Sequence, residues 1–436
     1  MIKIIHLSDI HIGSGFSHGR INPETGLNTR LEDFISSLKL CIDRAISEPV
    51  DLVIFGGDAF PDATPAPYIK QAFSRELRRL VDAEIPTVLL VGNHDQHSQG
   101  QGGASLGIYS TLGVPGVVVG DRLETHNIQT KNGAIQIITL PWLTASSLMT
   151  KSETESLSMG KVNELLIEKL KLVLESEIRQ LNPEIPTVLL AHLMADRASL
   201  GAERFLAVGK GFNIPVSLLN RDCFDYVALG HVHKHQNLNK SNNPPIIYPG
   251  SIERVDFSEE KEEKGFVLLE LEKGVVKWEF CALPVRNFQT IKVNVSEAKI
   301  PQAELLKAIS KTQIKDAVVR LIYQLRSEQL DLIENGVLHQ ALSEAHTYTI
   351  QPELVSQLAR PRLPELAKGN SIDPLKALKT YLESREDIQD IQEEMLEAAA
   401  KLLSDGVDLS AENSESQLSL FREQGVVGLI SCPDNQ

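Results

Sequence analysis

Apolar positions along the first 284 residues form short runs that alternate with stretches of helical spacing. The runs Ile2–Leu7, Leu52–Phe55, Thr87–Val91, Thr187–Ala191 and Tyr226–Leu229 read as strands. Between them, Leu31–Ile46 can place Phe34, Leu38, Cys41, Ile42 and Ala45 on one face of a helix. Tyr68–Val81 does the same with Phe73, Leu77 and Leu80, and Val162–Leu181 gives a third helix. The order Glu-Ile-Pro-Thr-Val-Leu-Leu occurs at 84–90 and again at 184–190. It reads either as matched central strands in two halves of a sandwich or as coincidental strand composition. Ile246–Tyr248 and Gly265–Leu271 are later strands, and the charged run Glu259–Lys264 between them reads as a solvated turn.

The pattern changes after Leu283-Pro-Val-Arg-Asn287. A strand at Thr290–Val295, a helix at Gln302–Ile309, a strand at Ala317–Leu325, a helix at Gln329–Ala345 and a strand at Tyr348–Ile350 predict a small α/β domain over 290–358. A linker at Ala359–Pro364 follows. Asp373 and Pro374 suit the N-cap and first position of a helix. Leu375, Leu378, Tyr381 and Leu382 form one apolar stripe, and Ile388, Ile391, Met395, Ala398 and Leu402 a second. Helices this short are marginal alone, so the segment 371–405 either docks on the chain or binds a partner. Residues 406–436 are polar and read as a flexible tail.

Composition is that of an ordinary globular protein, with 42% apolar and 23% charged residues. No early stretch reads as a signal peptide, and no run approaches the ~20 apolar residues that span a bilayer. Cys41, Cys223, Cys281 and Cys432 are far apart and form no paired motif, which suits a reducing cytoplasm and argues against a thiolate zinc site. A net charge of −15 argues at first against a polyanionic substrate. Its distribution weakens the objection: Ser371–Gln436 holds 14 acidic and 5 basic residues, whereas Ile291–Arg326 holds 7 basic and 3 acidic. A local basic surface can attract nucleic acid on an acidic chain, although scattered solvated lysines give the same count.

Each of the five strands ends in metal-binding side chains: Asp9-Ile-His11, Gly57-Asp58, Gly92-Asn-His-Asp95, His192 and Gly230-His-Val-His233. Open α/β sheets place ligands outside the carboxyl ends of their strands, so the five ends imply one shared site. Single His-x-Asp or His-x-His pairs are weak signals. Here ten of twelve histidines lie within the first 235 residues, and six sit at or directly before these ends. A mixed Asp, Asn and His set fits Mn²⁺, Fe²⁺ or Zn²⁺ better than Ca²⁺. Asp58 is the natural bridge, with one cation on each oxygen. Two metals can clamp an in-line displacement and generate hydroxide near neutral pH. His94 follows Asn93 directly, which leaves it free to protonate a leaving group while Asp95 orients its ring. His18, in a Gly-rich loop, is a candidate substrate contact. His6 reads as structural, and His97, His126 and His235 as loop or surface residues.

The ordered set resembles the calcineurin-like metallophosphoesterases. Within them, His6-Leu-Ser-Asp-Ile-His-Ile-Gly13, Tyr248-Pro-Gly-Ser-Ile-Glu-Arg254 with Asp256-Phe257, and Leu283-Pro-Val-Arg286 are similar to the nuclease subunits of bacterial DNA-repair complexes. The resemblance implies a four-layer αββα sandwich over 1–284, a capping domain over 290–358 that shapes a DNA path, and a C-terminal helical segment. It implies one metal held by Asp9, His11, Asp58 and His233, and another by Asp58, Asn93, His192 and His231. The metal would be Mn²⁺, with His94 the catalytic histidine. The implied activity is exonuclease and endonuclease cleavage in double-strand break and hairpin processing. The implied partners are DNA and an SbcC-type coiled-coil ATPase bound by the C-terminal helices, with a homodimer inside a heterotetramer and no membrane. Some relatives carry a histidine three residues after the Gly-Asp aspartate, where this chain has Pro61. That places endonuclease activity in question. Two other readings use the same residues: a phosphodiesterase or phosphatase for small nucleotides or phosphoproteins, and a module that keeps the fold without the chemistry.

Overall fold

The computed structural model describes residues 1–96, 103–144, 148–149, 157–199, 213–239, 244–355, 374–383 and 392–404. These belong to two compact units, Met1–Val355 and Ser356–Gln436.

The first unit is built on two six-stranded sheets. In one, the spatial order is Val275–Ala282, Gly265–Glu272, Ile2–Leu7, Leu52–Phe55, Thr87–Leu90, Val117–Gly120. In the other it is Gln236–Asn237, Ile246–Tyr248, Tyr226–Gly230, Thr187–His192, Gly133–Leu140, Glu124–Thr130. The central strands of each sheet run parallel; antiparallel strands close both edges of the second sheet and one edge of the first, whose other edge, Val117–Gly120, is parallel. Side-chain alternation assigns the layers. Ile2, Ile4, Ile54, Val88 and Leu90 of the first sheet meet Ile137, Val188, Leu190, Tyr226 and Ala228 of the second in one buried cluster. The opposite face of the first sheet carries Ile5, Leu7, Val53, Phe55 and Leu89. It is covered by the helices Thr29–Ser47 and Pro67–Asp82 through Phe34, Leu38, Ile42, Phe73 and Leu77. The outer face of the second sheet is covered by Met159–Ile178 through Leu166, Leu170 and Leu174. The result is a four-layer αββα sandwich. The repeated heptapeptide supplies one strand to each sheet, and Val88, Leu90, Val188 and Leu190 all enter the shared core.

The small sheet follows. Phe288–Asn294, Val318–Leu325 and Thr347–Leu354 pair in parallel in that order. Leu305, Ile309, Leu338 and Leu342 pack on one face. The helix expected over 329–345 is not continuous. A 3-10 turn spans Ser327–Leu332, and a short helix runs from Asn335 to Ala341. The buried amide of Gln329 explains the break. It donates to the carbonyls of Val295 (3.0 Å) and Ala298 (3.2 Å) and accepts from the amide of Arg326 (2.9 Å), which ties the turn to the neighbouring loop. The small sheet is joined to the sandwich by polar contacts. Arg286 forks onto both oxygens of Asp33 at 2.7 Å and donates to the Asp316 carbonyl at 2.9 Å.

In the second unit, the helices Pro374–Glu383 and Gln392–Ser404 contact each other, and Leu382 is buried. Asp373, Ile388, Ile391 and the tail 406–436 lie outside the described residues. Among the described residues, no helix is long and apolar enough to cross a membrane.

Candidate metal centre

The strand ends converge because the sheets are in register where it matters. Leu7 pairs with Phe55, Phe55 with Leu89, and Gly230 with His192, so the following residues leave both sheets at one rim. There the backbone is forced. Asp9, His11, Asp58 and His231 all have positive φ, at 51°, 45°, 56° and 100°. Each such conformation costs on the order of 1–3 kcal/mol and persists only where the surroundings impose it. The loops impose it by mutual hydrogen bonds. The amides of Asp9 and His11 donate to the carbonyls of Gly57 and Asp58 at 3.0 Å. The His231 amide donates to the Asp9 carboxylate at 3.0 Å, and the His94 amide to Asp58 Oδ1 at 2.9 Å.

The glycines before the donors are steric requirements. A Cβ on Gly57, which has φ +99°, would stand 2.4 Å from His192 Nδ1. One on Gly92 would stand 2.1 Å from Asp58 Oδ1.

Two groups of donor atoms result, Asp9, His11 and His233, and Asp58, His192 and His231, each with its atoms within 4.8 Å of one another. Asp58 lies between them: Oδ2 is 3.7 Å from His11 Nε2 and 3.3 Å from His192 Nε2. Asn93 Oδ1 is 2.9 Å from both His192 Nε2 and His231 Nδ1. His11 Nε2 and His233 Nε2 approach to 3.0 Å. All seven predicted donors are thus brought together.

The set fits divalent cations on three grounds. Among the described residues no lysine or arginine pairs with Asp9, Asp58 or Asp95, so the buried carboxylates at the donor groups face imidazoles and not a permanently charged side chain. His231 Nε2 is buried with no hydrogen-bond partner. Finally, ligation needs neutral imidazole and ionised carboxylate, and His11, His231 and Asp58 are held in those forms. Burial, aided by neighbouring His233, keeps His11 well below its ordinary range, and burial beside His192 lowers His231 to about 3. Burial alone would raise Asp58, but the facing His192 and His11 hold it below the carboxylate range. His192 and Asp9 run the other way. Burial opposes a charge on His192, but the facing Asp58 and Asp9 outweigh it and raise His192 to about 9, so a cation there would have to displace its proton. Burial pushes Asp9 up to about 6.

Two expectations need correction. Asp95 does not orient His94. Its carboxylate accepts from the amides of Asp58 (2.9 Å), Gly92 (3.0 Å) and Ala59 (3.4 Å) and from Ser105 Oγ (3.2 Å). The His94 ring is instead held through Nδ1 by the Pro61 carbonyl at 2.8 Å. The turn 259–264 is not simply solvated. Glu259 and Lys264 are among the most buried charges in the chain, and Glu259 Oε1 lies 2.6 Å from His233 Nδ1. The ring of His18, the candidate substrate contact, meets Phe257 at 5.3 Å and Phe288 at 5.5 Å, and its carbonyl accepts from Thr347. His6 is structural, facing Tyr226 at 3.1 Å between the sheets, where burial lowers it to about 3. His126 is half-buried, with Nε2 3.1 Å from Thr139 Oγ1. His235 stacks on Phe280 at 4.1 Å and is half-buried too, while His97 lies outside the described residues.

Sequence reasoning missed Trp142, whose ring tilts over His231 at 4.7 Å and meets His192 edge-on at 6.1 Å. The available signal was another strand end, since Gly133–Leu140 pairs beside Thr187–His192. The Tyr248–Arg254 loop lies under His233. The Ser251 amide donates to its carbonyl at 3.0 Å, and the Tyr248 hydroxyl bridges Leu193 and Ala195.

The family described as calcineurin-like phosphoesterase matches residues 2–235, a stretch that contains every donor from Asp9 to His233. Among solved structures, a protein of Thermus thermophilus is 14% identical over 64% of this chain and 98% of its own, with a TM-score of 0.38. A dimetal phosphatase from Danio rerio is 12% identical over 62% of this chain and 93% of its own, with a TM-score of 0.38. The purple acid phosphatase PPD1 from yellow lupin seeds is 13% identical over 64% of this chain and 51% of its own, also with a TM-score of 0.38.

Proposed function

Since the chain belongs to the calcineurin-like phosphoesterase family, we propose that it is a metal-dependent DNA nuclease subunit of the SbcD kind. It would hydrolyse DNA phosphodiesters in the cytoplasm with Mn²⁺ and act with an SbcC-type coiled-coil ATPase, as a homodimer inside a heterotetramer. The observation that carries the hydrolytic part is two adjacent donor groups with Asp58 between them and a histidine beside them that ligates neither. The nucleic-acid part is supported by the Tyr248–Arg254 loop, by the braced small domain and by the basic balance of Ile291–Arg326.

The chemistry supplied by two divalent ions, when bound, is charge neutralisation at the phosphoryl oxygens and a lowered pKa of water. Asp9, His11, Asp58 and His233 would hold one, and Asp58, Asn93, His192 and His231 the other. His94 does the proton work. A carbonyl can only accept, so the Pro61 contact assigns the proton to Nδ1 and leaves Nε2 to face the substrate. Once protonated, Nε2 donates to the leaving oxygen. The half-buried ring stays reachable while Pro61 fixes its direction.

The test is degradation of duplex DNA with Mn²⁺ by His94→Asn. Activity should fall by about 10²–10⁴-fold, the usual contribution of a positioned proton donor, with bound metal unchanged. Equal rates would overturn the assignment of His94. Truncation after Pro364 should leave hydrolysis of a small phosphodiester unchanged and abolish co-purification with the ATPase. Retention of the ATPase by the truncated chain would remove the role given to the C-terminal helices.

One observation favours a second reading, phosphodiester hydrolysis on small nucleotides. A cavity of about 680 Å³ lined by Trp142, Gln96 and Arg122 has the size of a small-molecule pocket. Efficient turnover of a cyclic or linear dinucleotide, with no action on duplex DNA even beside the ATPase, would favour it.

A further inference from the structure

We propose that Glu259 is a positioning residue for the first cation, acting through His233, with Lys264 holding its charge in place. The inference rests on the reading of His233 as a metal donor.

The charged run 259–264 sorts itself by burial. Lys261 and Glu263 are exposed, whereas Glu259 is 0% and Lys264 1% exposed. Both oxygens of Glu259 are committed. Oε1 faces His233 Nδ1 at 2.6 Å, and Oε2 accepts from Lys264 Nζ and from the Val255 amide, each at 2.9 Å. Each oxygen of Glu259 therefore faces a fixed partner of its own. Lys264 Nζ also donates to the His233 carbonyl at 3.1 Å and to Glu262 at 2.8 Å. The ring and the backbone of one donor are therefore gripped by one buried ion pair.

Stability does not account for this arrangement. Burying a carboxylate and an ammonium costs desolvation that their attraction often fails to recover, and apolar replacements are commonly neutral or better. Its specific effect is on the imidazole. A carboxylate at Nδ1 draws the proton there, so Nε2 carries the lone pair. Nε2 is the nitrogen 3.0 Å from His11 Nε2, on the side of the donor group. A carboxylate behind a ligating histidine also raises its basicity and fixes its ring plane. The turn that carries Glu259, Phe257–Glu259, is itself held. Asp256 caps it at 2.7 Å, and Phe257 packs against Phe288 at 5.0 Å and beneath Arg320 at 4.3 Å.

The experiment uses the full chain and Mn²⁺ alone as the probe. Binding is followed by calorimetry, and the pair by electron paramagnetic resonance, where coupled and isolated ions differ. Two variants are compared, Glu259→Gln and the double change Glu259→Gln with Lys264→Met, which removes both charges and protects against a folding defect. One of two Mn²⁺ ions should bind about 10–100-fold more weakly while the other keeps its affinity. The coupled signal should give way to that of an isolated ion at concentrations where wild type is paired. Wild-type affinity for both ions in the folded double variant would overturn the proposal and leave a structural brace. Wild type binding no Mn²⁺ would instead overturn the underlying reading of the donors, and the two failures are thereby distinguished.

Discussion

Replacing Asp58 with asparagine is expected to lower Mn²⁺-supported hydrolysis of bis(p-nitrophenyl) phosphate by about 10³-fold or more, or roughly 4 kcal/mol of transition-state stabilisation. Bound metal should fall with it. Asp58 reaches both groups: Oδ2 is 3.7 Å from His11 Nε2 and 3.3 Å from His192 Nε2. An asparagine of the same shape keeps one carbonyl oxygen. It removes the negative charge and turns an amide NH₂ towards an imidazole nitrogen that also needs to face a cation. The loss therefore reaches both groups, whereas a change at His231 or His11 removes a donor from one. The backbone contacts at this position do not depend on the side chain. The Asp58 amide still reaches Asp95, and its carbonyl still accepts from His11. Far-ultraviolet circular dichroism should accordingly be unchanged. Steady-state kinetics and metal analysis of dialysed protein check the prediction. A variant within ten-fold of wild type that retains two ions would show that the two groups do not share this carboxylate.

The donors were legible because two simple signals coincide at each of them. An apolar run stops, and His, Asp or Asn follows at once. The run fixes a strand, and the common strand direction carries the donors to one rim. Helix and strand periods gave the covering helices and their apolar faces, on Phe34, Leu38, Phe73 and Leu77, whereas the four-layer arrangement came only from the family resemblance. The edges were not legible. Glu124–Thr130 and Val275–Ala282 mix polar and apolar residues because one side faces water, and they pass for loop. Glu259 and Lys264 were hidden for a different reason. A run of four glutamates and two lysines normally stays in solvent, and only tertiary contact decides which of the six is buried with a partner. Asp95 was placed correctly beside the centre and given the wrong task. Sequence adjacency to His94 suggested a contact between the two side chains, but consecutive residues in this turn point apart. Its partners lie on the 58–59 loop, at a position no spacing rule reveals.

That loop contact sets the largest expected effect on stability. Replacing Asp95 with alanine should destabilise the sandwich by about 3 kcal/mol or more, because it strands several buried amides at once. Leaving a buried donor unsatisfied costs about 1–3 kcal/mol each, and the Asp95 carboxylate serves those of Asp58, Gly92 and Ala59 together with the Ser105 hydroxyl. Asp95 itself is 0% exposed, so relief by bulk water is limited. Asp95→Asn keeps one acceptor oxygen but sets an NH₂ against an amide that must donate, so an intermediate loss is expected. Activity should fall in the same order as stability, since the 57–59 and 92–95 segments present Asp58, Asn93 and His94. Thermal melts and urea titrations of both variants check this, read beside hydrolysis of a small phosphodiester. If Asp95 served only to orient the His94 ring, hydrolysis would drop while the melting curves stayed at wild type. Unchanged stability in Asp95→Ala would therefore refute the role as a clamp between the two loops.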